Sequence, residues 1–280
     1  MLPKRITSGP DGMNALLSSH EEQDVAASDA ILSLRDVSLA LGGRPILEGI
    51  NLNIRPGEFV CVVGASGSGK TTMLRLLAGL LTPSRGKATY RGVPISQPRQ
   101  DIAIVFQDYG KALLPWRTAA GNISLALEAI GVPRKERTRQ TSALLQKVGL
   151  HDQGDKFPAQ MSGGMQQRLQ IARCLAQNPA ILLMDEPFGA LDAMTRQTLQ
   201  DEILSLISAS GATAFFVTHD LEEAIYLGDR VIGLLSNPGR VVISFRIDLP
   251  RPRNQLSTRE HPEFLRLRRE LFAFIKEAEA

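Results

Sequence analysis

An octapeptide rich in glycine constrains the fold of this chain more than any other feature. Residues 64–71 read Gly-Ala-Ser-Gly-Ser-Gly-Lys-Thr, which matches the phosphate-binding pattern G-x-x-x-x-G-K-[ST]. An apolar run at residues 59–63 precedes the loop as a predicted strand. Apolar residues at helical spacing follow the loop, up to Gly79 and Pro83. Strand, loop and helix in this order are the context in which such a loop binds phosphate.

The residue types of the loop fit the phosphates of a nucleotide. Glycines let the main chain approach a polyphosphate closely, and consecutive amides at a helix N-terminus attract its negative charge. Lys70 is predicted to bridge the terminal phosphates, and the Thr71 hydroxyl is predicted to bind Mg²⁺. The residues predicted to contact the nucleotide are Gly64, Ala65, Ser66, Gly67, Ser68, Gly69, Lys70, Thr71 and Thr72.

Two adjacent carboxylates follow a second apolar run, at residues 181–184. In sheets of parallel strands, the active groups gather at the carboxyl ends of the strands. Asp185 is predicted to hold Mg²⁺, and Glu186 is predicted to polarise the attacking water. An Asp-Glu pair alone would more often be a solvated strand end, but the upstream phosphate loop favours the functional interpretation.

The alternation of apolar runs and helical patterns indicates the fold class. Residues 31–54 alternate apolar and polar side chains, which predicts half-buried antiparallel strands. Residues 113–150 follow helical patterns interrupted by glycine and proline. Apolar runs at 181–184, 213–217 and 231–235 alternate with helical patterns, which predicts parallel strands joined by crossover helices. We expect an α/β fold with a parallel sheet, an antiparallel β subdomain and an inserted helical subdomain.

Composition excludes several classes of protein. The chain has 32 Lys and Arg against 29 Asp and Glu, and a net charge of +3 is too small for a dedicated nucleic-acid-binding protein. No apolar run approaches the ~18 residues of a membrane span. The 2 cysteines lack metal-ligand spacing, so we expect free thiols in a reducing compartment. Residues 1–30 are polar and are predicted to be a disordered lead-in without a signal peptide.

Further motifs occur in a fixed order along the chain. Residues 161–168 read Met-Ser-Gly-Gly-Met-Gln-Gln-Arg and resemble the Leu-Ser-Gly-Gly-Gln signature of ATP-binding cassette (ABC) ATPases. Gln107 after a predicted strand resembles the Q-loop, residues 190–192 resemble the D-loop, and His219 resembles the switch histidine. The resemblance implies a P-loop NTPase core of the ABC type at residues 31–253.

The resemblance assigns roles to individual residues. Glu186, His219 and Gln107 would act in ATP hydrolysis. Gln107 would also join Thr71 and Asp185 as a ligand of Mg²⁺. Signature and D-loop residues would contact ATP held by the opposite subunit of a homodimer, so that two chains form two composite sites. These residues are Ser162, Gly163, Gly164, Gln166 and Asp192.

Leu41 departs from the pattern of the family. In the family, an aromatic residue near the end of the first strand pair stacks on adenine, and Leu41 occupies that position. A leucine side chain offers no π-face, so base stacking should be weaker or should come from another residue. Alternatively, Leu41 is only a core residue at a strand end.

Two stretches are similar to ABC importers of the nitrate, sulfonate and taurine group. They are residues 107–116, with the sequence Leu-Leu-Pro-Trp at their end, and residues 237–253. This similarity implies an ATPase at the cytoplasmic side of the inner membrane that powers uptake of a small solute. It implies transmembrane permease subunits as partners and, indirectly, an extracytoplasmic solute-binding protein. The transported solute is not encoded in this chain, because other subunits contact it.

The alternative function is a soluble cassette ATPase that is not coupled to transport and acts on nucleic acid or in regulation. Cassettes of DNA repair carry long coiled coils or zinc modules, and this chain has neither sustained heptads nor zinc-ligand spacing. A non-catalytic subunit is disfavoured because the residues of the catalytic motifs are intact, namely Lys70, Asp185, Glu186 and His219. The oligomeric state of the isolated chain stays open.

Two regions outside the motifs carry further expectations. The helical subdomain is expected at about residues 108–165, and its Trp116 is the only tryptophan. We expect Trp116 to be an exposed anchor for the permease, with burial in the subdomain as the alternative. Residues 254–280 are expected to form a C-terminal amphipathic helix. Packing of that helix on its own domain is favoured over a contact with a dimer partner or the permease.

Overall fold

The computed structural model describes residues 29–108, 112–189 and 191–278. Within these residues the chain forms one sheet of four strands and one of six. The predicted disordered lead-in lies outside the described residues, except for Asp29 and Ala30. Tyr109 and Ala190, which belong to two of the motifs above, also lie outside them.

The four-stranded sheet is antiparallel and has the order β2-β1-β4-β5. Its strands are β1 (Leu32–Leu41), β2 (Arg44–Ile54), β4 (Arg85–Tyr90) and β5 (Val93–Pro94). The predicted strands at residues 31–54 are confirmed as β1 and β2. The sequence did not predict β4, because its only buried residues are Ala88 and Tyr90 and its apolar signal is therefore weak.

The six-stranded sheet has the order β10-β9-β3-β8-β7-β6. All neighbouring strands pair in parallel, except that β10 is antiparallel to β9. Its strands are β3 (Phe59–Gly64), β6 (Ile102–Val105), β7 (Ile181–Asp185), β8 (Thr213–Val217), β9 (Arg230–Leu235) and β10 (Arg240–Arg246). The predicted parallel sheet is confirmed. Its adjacent strands β3, β8, β7 and β6 place four predicted motifs side by side at one edge.

Eight α-helices connect or cover the strands in the part of the chain that is described. They are α1 (Lys70–Leu77), α2 (Ala119–Ala129), α3 (Arg134–Lys147), α4 (Gly163–Leu175), α5 (Ala193–Ser210), α6 (Leu221–Leu227), α7 (Ser257–Glu260) and α8 (Pro262–Ala278). Two 3-10 turns, His151–Gln153 and Pro158–Gln160, lie between α3 and α4. Helices α2 and α3 occupy the stretch where the helical subdomain is expected.

The six-stranded sheet is buried on both faces, so its strands read as continuous apolar runs. Phe59, Cys61 and Val63 of β3 belong to a core shared with α5, α6 and α8. Val60 and Val62 point the other way, into a core shared with α1 and the antiparallel sheet. A third apolar cluster joins α2 and α3 to α4. The described chain therefore packs as a central sheet between two layers, with a helical unit attached at α4.

The C-terminal helix α8 packs on the chain's own fold. Phe264, Leu267, Leu271 and Phe274 are all buried in the core that contains α5 and α6. A Cβ atom added at Gly233 in β9 would lie 2.5 Å from the Phe274 ring, so the helix and the sheet are in close contact. This is the packing that the apolar spacing of the helix favours.

Candidate functional site

A cleft of about 610 Å³ opens at the carboxyl ends of β3, β8, β7 and β6. Crevices at this edge of a parallel sheet are the usual place for ligands. The cleft brings together four segments that are far apart in sequence: the phosphate loop, the Q-loop, the carboxylate pair and the switch histidine. Its lining residues are Ile46, Ser66, Gly67, Ser68, Gly69, Lys70, Thr71, Thr72, Gln107, Glu186 and His219.

The phosphate loop is held in shape by close packing. Gly69 is the N-cap of α1, with φ 95° in the left-handed region that favours glycine. A Cβ atom at Gly69 would lie 2.6 Å from Cδ2 of Leu47, and one at Gly64 would lie 2.4 Å from the carbonyl oxygen of Leu234. Both positions therefore require glycine, and the loop amides are fixed at the start of α1, where an anion is attracted.

Lys70 lies in the mouth of the loop. Its Nζ atom donates to the carbonyl oxygens of Gly64, at 2.8 Å, and Ala65, at 2.9 Å. Burial lowers the pKa of Lys70, and the nearby carboxylates of Glu186 and Asp185 oppose this effect. The ammonium group is thus placed among loop carbonyls and acidic groups, beside the space that phosphates would occupy.

The phosphate loop and β7 meet at Thr71 and Asp185. The Thr71 hydroxyl donates to Oδ1 of Asp185 over 3.0 Å. Burial raises the pKa of Asp185, while the Thr71 hydrogen bond lowers it. Hydroxyl, carboxylate and amide oxygens are the ligands that Mg²⁺ takes in nucleotide sites, so this pair, with Gln107 in the same cleft, fits that ion.

Glu186 lies at the centre of a polar group. Its Oε2 atom accepts a hydrogen bond of 3.3 Å from Nε2 of Gln107, and it lies 3.3 Å from Nδ1 of His219. Glu186 has φ 44°, an uncommon value for a residue other than glycine, and its N–H donates to Val217 over 2.9 Å. The turn after β7 therefore holds this carboxylate between the Q-loop and the switch histidine.

The signature residues lie at the start of α4 and do not line the cleft. Ser162 is the N-cap of α4 and accepts from the Met165 N–H over 3.3 Å. Gly163 and Gly164 form the first turn of that helix. The Gln166 amide donates to main-chain oxygens of the preceding turn, Pro158 at 2.9 Å and Met161 at 3.1 Å.

Asp192 likewise lies away from the cleft. It is the exposed N-cap of α5 and accepts from the Thr195 N–H over 3.0 Å. Hydrogen bonds with Thr195 hold the pKa of Asp192 below its usual range. As with Ser162, this puts a helix N-terminus at the surface, where a second molecule can reach it.

In the hairpin of β1 and β2, Ile46 lines the cleft. The Leu41 side chain lies at the end of β1 and is 45% exposed. Ile46 follows on β2, is half-buried and lines the cleft beside the phosphate loop. Sequence reasoning missed Ile46, because in an alternating strand an isoleucine reads as core.

Trp116 is 72% exposed, so its burial within the helical subdomain is excluded. The segment that carries it is fixed by Asn122 of α2, which is fully buried. The Asn122 amide donates to the carbonyl oxygens of Leu114, Arg117 and Thr118 at 3.1 to 3.2 Å. Its oxygen accepts from the Leu114 N–H over 2.9 Å. The indole is thus held at the surface by an ordered turn.

The site combines a P-loop with a pair of carboxylates at a strand end, and a glutamine and a histidine both contact one of these carboxylates, Glu186. This combination defines an ATPase. The family profile described as ABC transporter matches residues 47–189. The chain belongs to this family, as one of its ATP-binding subunits, which hydrolyse ATP.

Three relatives show how far the similarity extends. An uncharacterized ABC transporter ATP-binding protein of Methanocaldococcus jannaschii is 46% identical over 82% of this chain and 84% of its own length. The taurine import ATP-binding protein TauB of Chromobacterium violaceum is 41% identical over 87% of this chain and 95% of its own length. The nitrate import ATP-binding protein NrtC of Synechococcus elongatus is 45% identical over 84% of this chain. The match spans only 36% of the length of NrtC.

Solved structures agree with the fold. CbiO1 of Clostridium perfringens, part of an ABC transporter complex, superposes with a TM-score of 0.72 over 78% of this chain and 89% of its own, at 27% identity. A dimeric ATP-binding cassette bound to ADP and Pi gives a TM-score of 0.67 over 77% of this chain and 98% of its own, at 34% identity. Among the residues described, no helix is long and apolar enough to cross a membrane.

Proposed function

We propose that this chain is the ATPase subunit of an importer for a small solute such as nitrate, a sulfonate or taurine. The observation that carries the proposal is the convergence of Lys70, Asp185, Glu186, Gln107 and His219 on one cleft. The similarity to the nitrate and taurine import proteins supports the solute class.

Different residues of the cleft have different roles in ATP hydrolysis. The loop amides and Lys70 bind and orient the phosphates. Thr71, Asp185 and Gln107 would hold Mg²⁺, which when bound supplies positive charge that offsets the phosphate charge. Glu186 orients the attacking water and takes its proton, and the Gln107 amide keeps the carboxylate in place. His219, whose side chain is 67% exposed, lies 3.3 Å from Glu186 and would contact the terminal phosphate.

A second copy of the chain completes each site. Ser162, Gly163, Gly164, Gln166 and Asp192 lie outside the cleft of their own chain, at exposed or half-exposed positions. In a homodimer they would face ATP held by the partner, and the dimeric cassette with ADP and Pi supports this assembly. We also predict that the dimer is a peripheral protein on the cytoplasmic side of the inner membrane.

Trp116 is the proposed contact with the transmembrane permease. An exposed aromatic side chain on an ordered turn loses little entropy when a partner covers it, and tryptophan is enriched among the residues that dominate interfaces. The turn lies close in sequence to Gln107, so nucleotide binding and permease contact are near each other along the chain. An extracytoplasmic solute-binding protein would act through the permease and would not touch this chain.

Reconstitution tests the proposal. The chain is co-expressed with candidate permease subunits from the same genome, and the complex is placed in proteoliposomes with a candidate solute-binding protein. ATP-driven uptake of nitrate or taurine is expected, and Glu186→Gln should abolish it. Trp116→Ala should leave ATP hydrolysis by the isolated chain unchanged and should weaken permease binding by about 2 kcal/mol or more. Hydrolysis without any permease association would instead favour the soluble cassette ATPase.

A further inference from the structure

A buried polar network lies directly behind the switch histidine. Glu223 of α6 and Gln200 of α5 are 4% and 1% exposed, and neither belongs to a motif found in the sequence. The Gln200 Nε2 atom donates to Oε1 of Glu223 over 3.0 Å. The Thr218 hydroxyl donates to the other oxygen of the same carboxylate. The network therefore reaches the residue that precedes His219.

Glu223 fixes the main chain on both sides of His219. The Thr218 N–H donates to the carbonyl oxygen of Val62 over 3.1 Å, which ties it to the central sheet. The Asp220 N–H donates to the Thr218 hydroxyl over 3.0 Å. Through that hydroxyl Glu223 is joined to the turn 218–220, and His219 in the middle of the turn lies 3.3 Å from Glu186.

The other side of the network belongs to residues 254–260, which we call the C-terminal brace. The oxygen of the Gln200 amide accepts from Nε2 of Gln255 over 3.3 Å and from Nη2 of Arg259 over 3.4 Å. Arg259 is itself fixed, because its Nη1 atom pairs with Glu222 over 2.8 Å. Its guanidinium also lies 5.2 Å from the centre of the Tyr226 ring.

These donors pair with the acceptor end of the Gln200 amide, and its donor end faces Glu223. An amide has a donor end and an acceptor end, and a buried carboxylate needs the donor. The two donors from the C-terminal brace lie on the oxygen of the Gln200 amide, and its nitrogen donates to Glu223, so each end of the amide is paired. Without these donors, only the hydrogen bond to Glu223 holds the amide, so Gln200 can shift and hold Glu223 and Thr218 less firmly.

We propose that the C-terminal brace is a positioning element for the switch histidine. Gln255 and Arg259 orient the Gln200 amide, Gln200 orients Glu223, and Glu223 holds the turn that carries His219. The C-terminal brace, like Gln200, Glu223 and His219, lies outside residues 47–189, the region that the family profile matches. The proposal rests on the proposed role of His219 in ATP hydrolysis.

The test is steady-state ATP hydrolysis by the full chain, normalised to sites that bind a fluorescent ATP analogue. Arg259→Met keeps the aliphatic packing on Tyr226 and removes the donor to Gln200. We expect kcat to fall about tenfold, with the KM for ATP changed less than about twofold, because orientation and not binding is lost. The matched control is Arg268→Met, since Arg268 also pairs with Glu222, at 2.9 Å, and no bond joins it to Gln200. This control should keep the normal kcat.

A double-mutant cycle separates positioning from general stability. In a Gln200→Met background, Arg259→Met should cause no further loss of kcat, because its effect passes through Gln200. Equal losses in both backgrounds, a normal kcat in Arg259→Met, or the same loss in Arg268→Met would each overturn the proposal. His219→Ala is measured in parallel. If His219→Ala keeps full turnover, the proposed role of His219 in ATP hydrolysis is rejected together with that of the brace. If His219→Ala is inactive while Arg259→Met has a normal kcat, only the role of the brace is rejected.

Discussion

The side-chain amide of Gln170 lies against both main-chain groups of Phe106, and it satisfies both when its oxygen accepts from the N–H, at 2.8 Å, and its nitrogen donates to the carbonyl oxygen, at 3.3 Å. Phe106 follows β6, which is the last strand in its sheet among the described residues. Gln170, on α4, therefore takes the place that a neighbouring strand would have. One turn later the Cys174 thiol donates to Ile104 over 3.2 Å. The signature helix and the start of the Q-loop are thus joined directly.

Gln170→Met should lower the free energy of unfolding by about 2 kcal/mol, because it leaves main-chain groups of Phe106 without partners. Gln167→Met is the matched control on the same helix. Gln167 is 1% exposed, and its amide has no hydrogen-bond partner among the described residues. Replacing that amide with an apolar side chain of similar size should be neutral or stabilising. Urea denaturation of both variants measures the difference, and equal changes would contradict the role of Gln170.

Much of the cleft could be predicted because its strands are short apolar runs that end in polar motifs. The carboxyl ends of neighbouring parallel strands meet at one edge, so Lys70, Asp185 and His219 could be placed together from sequence. The β4 strand was missed because its outer face is polar.

Gln170 and Glu223 could not be found in this way. Each is a polar residue on a helix, which in sequence reads as solvent-facing, and only the tertiary fold buries it. Ile46 was missed for the opposite reason, since an apolar residue in a strand predicts core and gives no sign of a cleft. In both cases the signal depends on which elements pack together, and the local pattern does not carry that information.

Substitutions at Lys70 and Glu186 should affect ATP binding and ATP hydrolysis differently. Glu186→Gln keeps the size and hydrogen-bonding reach of the side chain and removes the base, so ATP binding should persist while kcat falls by about two to four orders of magnitude. Lys70→Ala removes the ammonium beside the phosphate loop and should weaken ATP binding itself. Equilibrium binding and single-turnover hydrolysis distinguish the two. Near-normal turnover in Glu186→Gln would remove Glu186 from its role.

Leu41→Tyr tests how the adenine base is held. A tyrosine at the end of β1 offers a π-face, and stacking of a base on an aromatic ring is worth about 1–3 kcal/mol. ATP binding measured by calorimetry should therefore tighten, by about tenfold. An unchanged affinity would mean that the base does not reach Leu41 and lies against the cleft residue Ile46.

Glu223 should make stability depend on pH near neutrality. Burial raises the pKa of this carboxyl from 4.5 to about 7, against hydrogen bonds from Thr218 and Gln200 that lower it. Asp220 raises the pKa further, and Arg196 lowers it. The folded chain therefore keeps the Glu223 proton to a higher pH than the unfolded chain does.

The sign of the effect follows from this difference in proton binding. A raised pKa in the folded state stabilises the fold below pH 4.5, and this stabilisation is lost as pH rises through about 7. The whole change amounts to about 3 kcal/mol. Glu223→Gln cannot titrate, so its free energy of unfolding should fall less than that of the unmodified chain between pH 5 and pH 8. Urea denaturation across this range measures both slopes, and parallel slopes would show that Glu223 keeps its ordinary pKa in the folded chain.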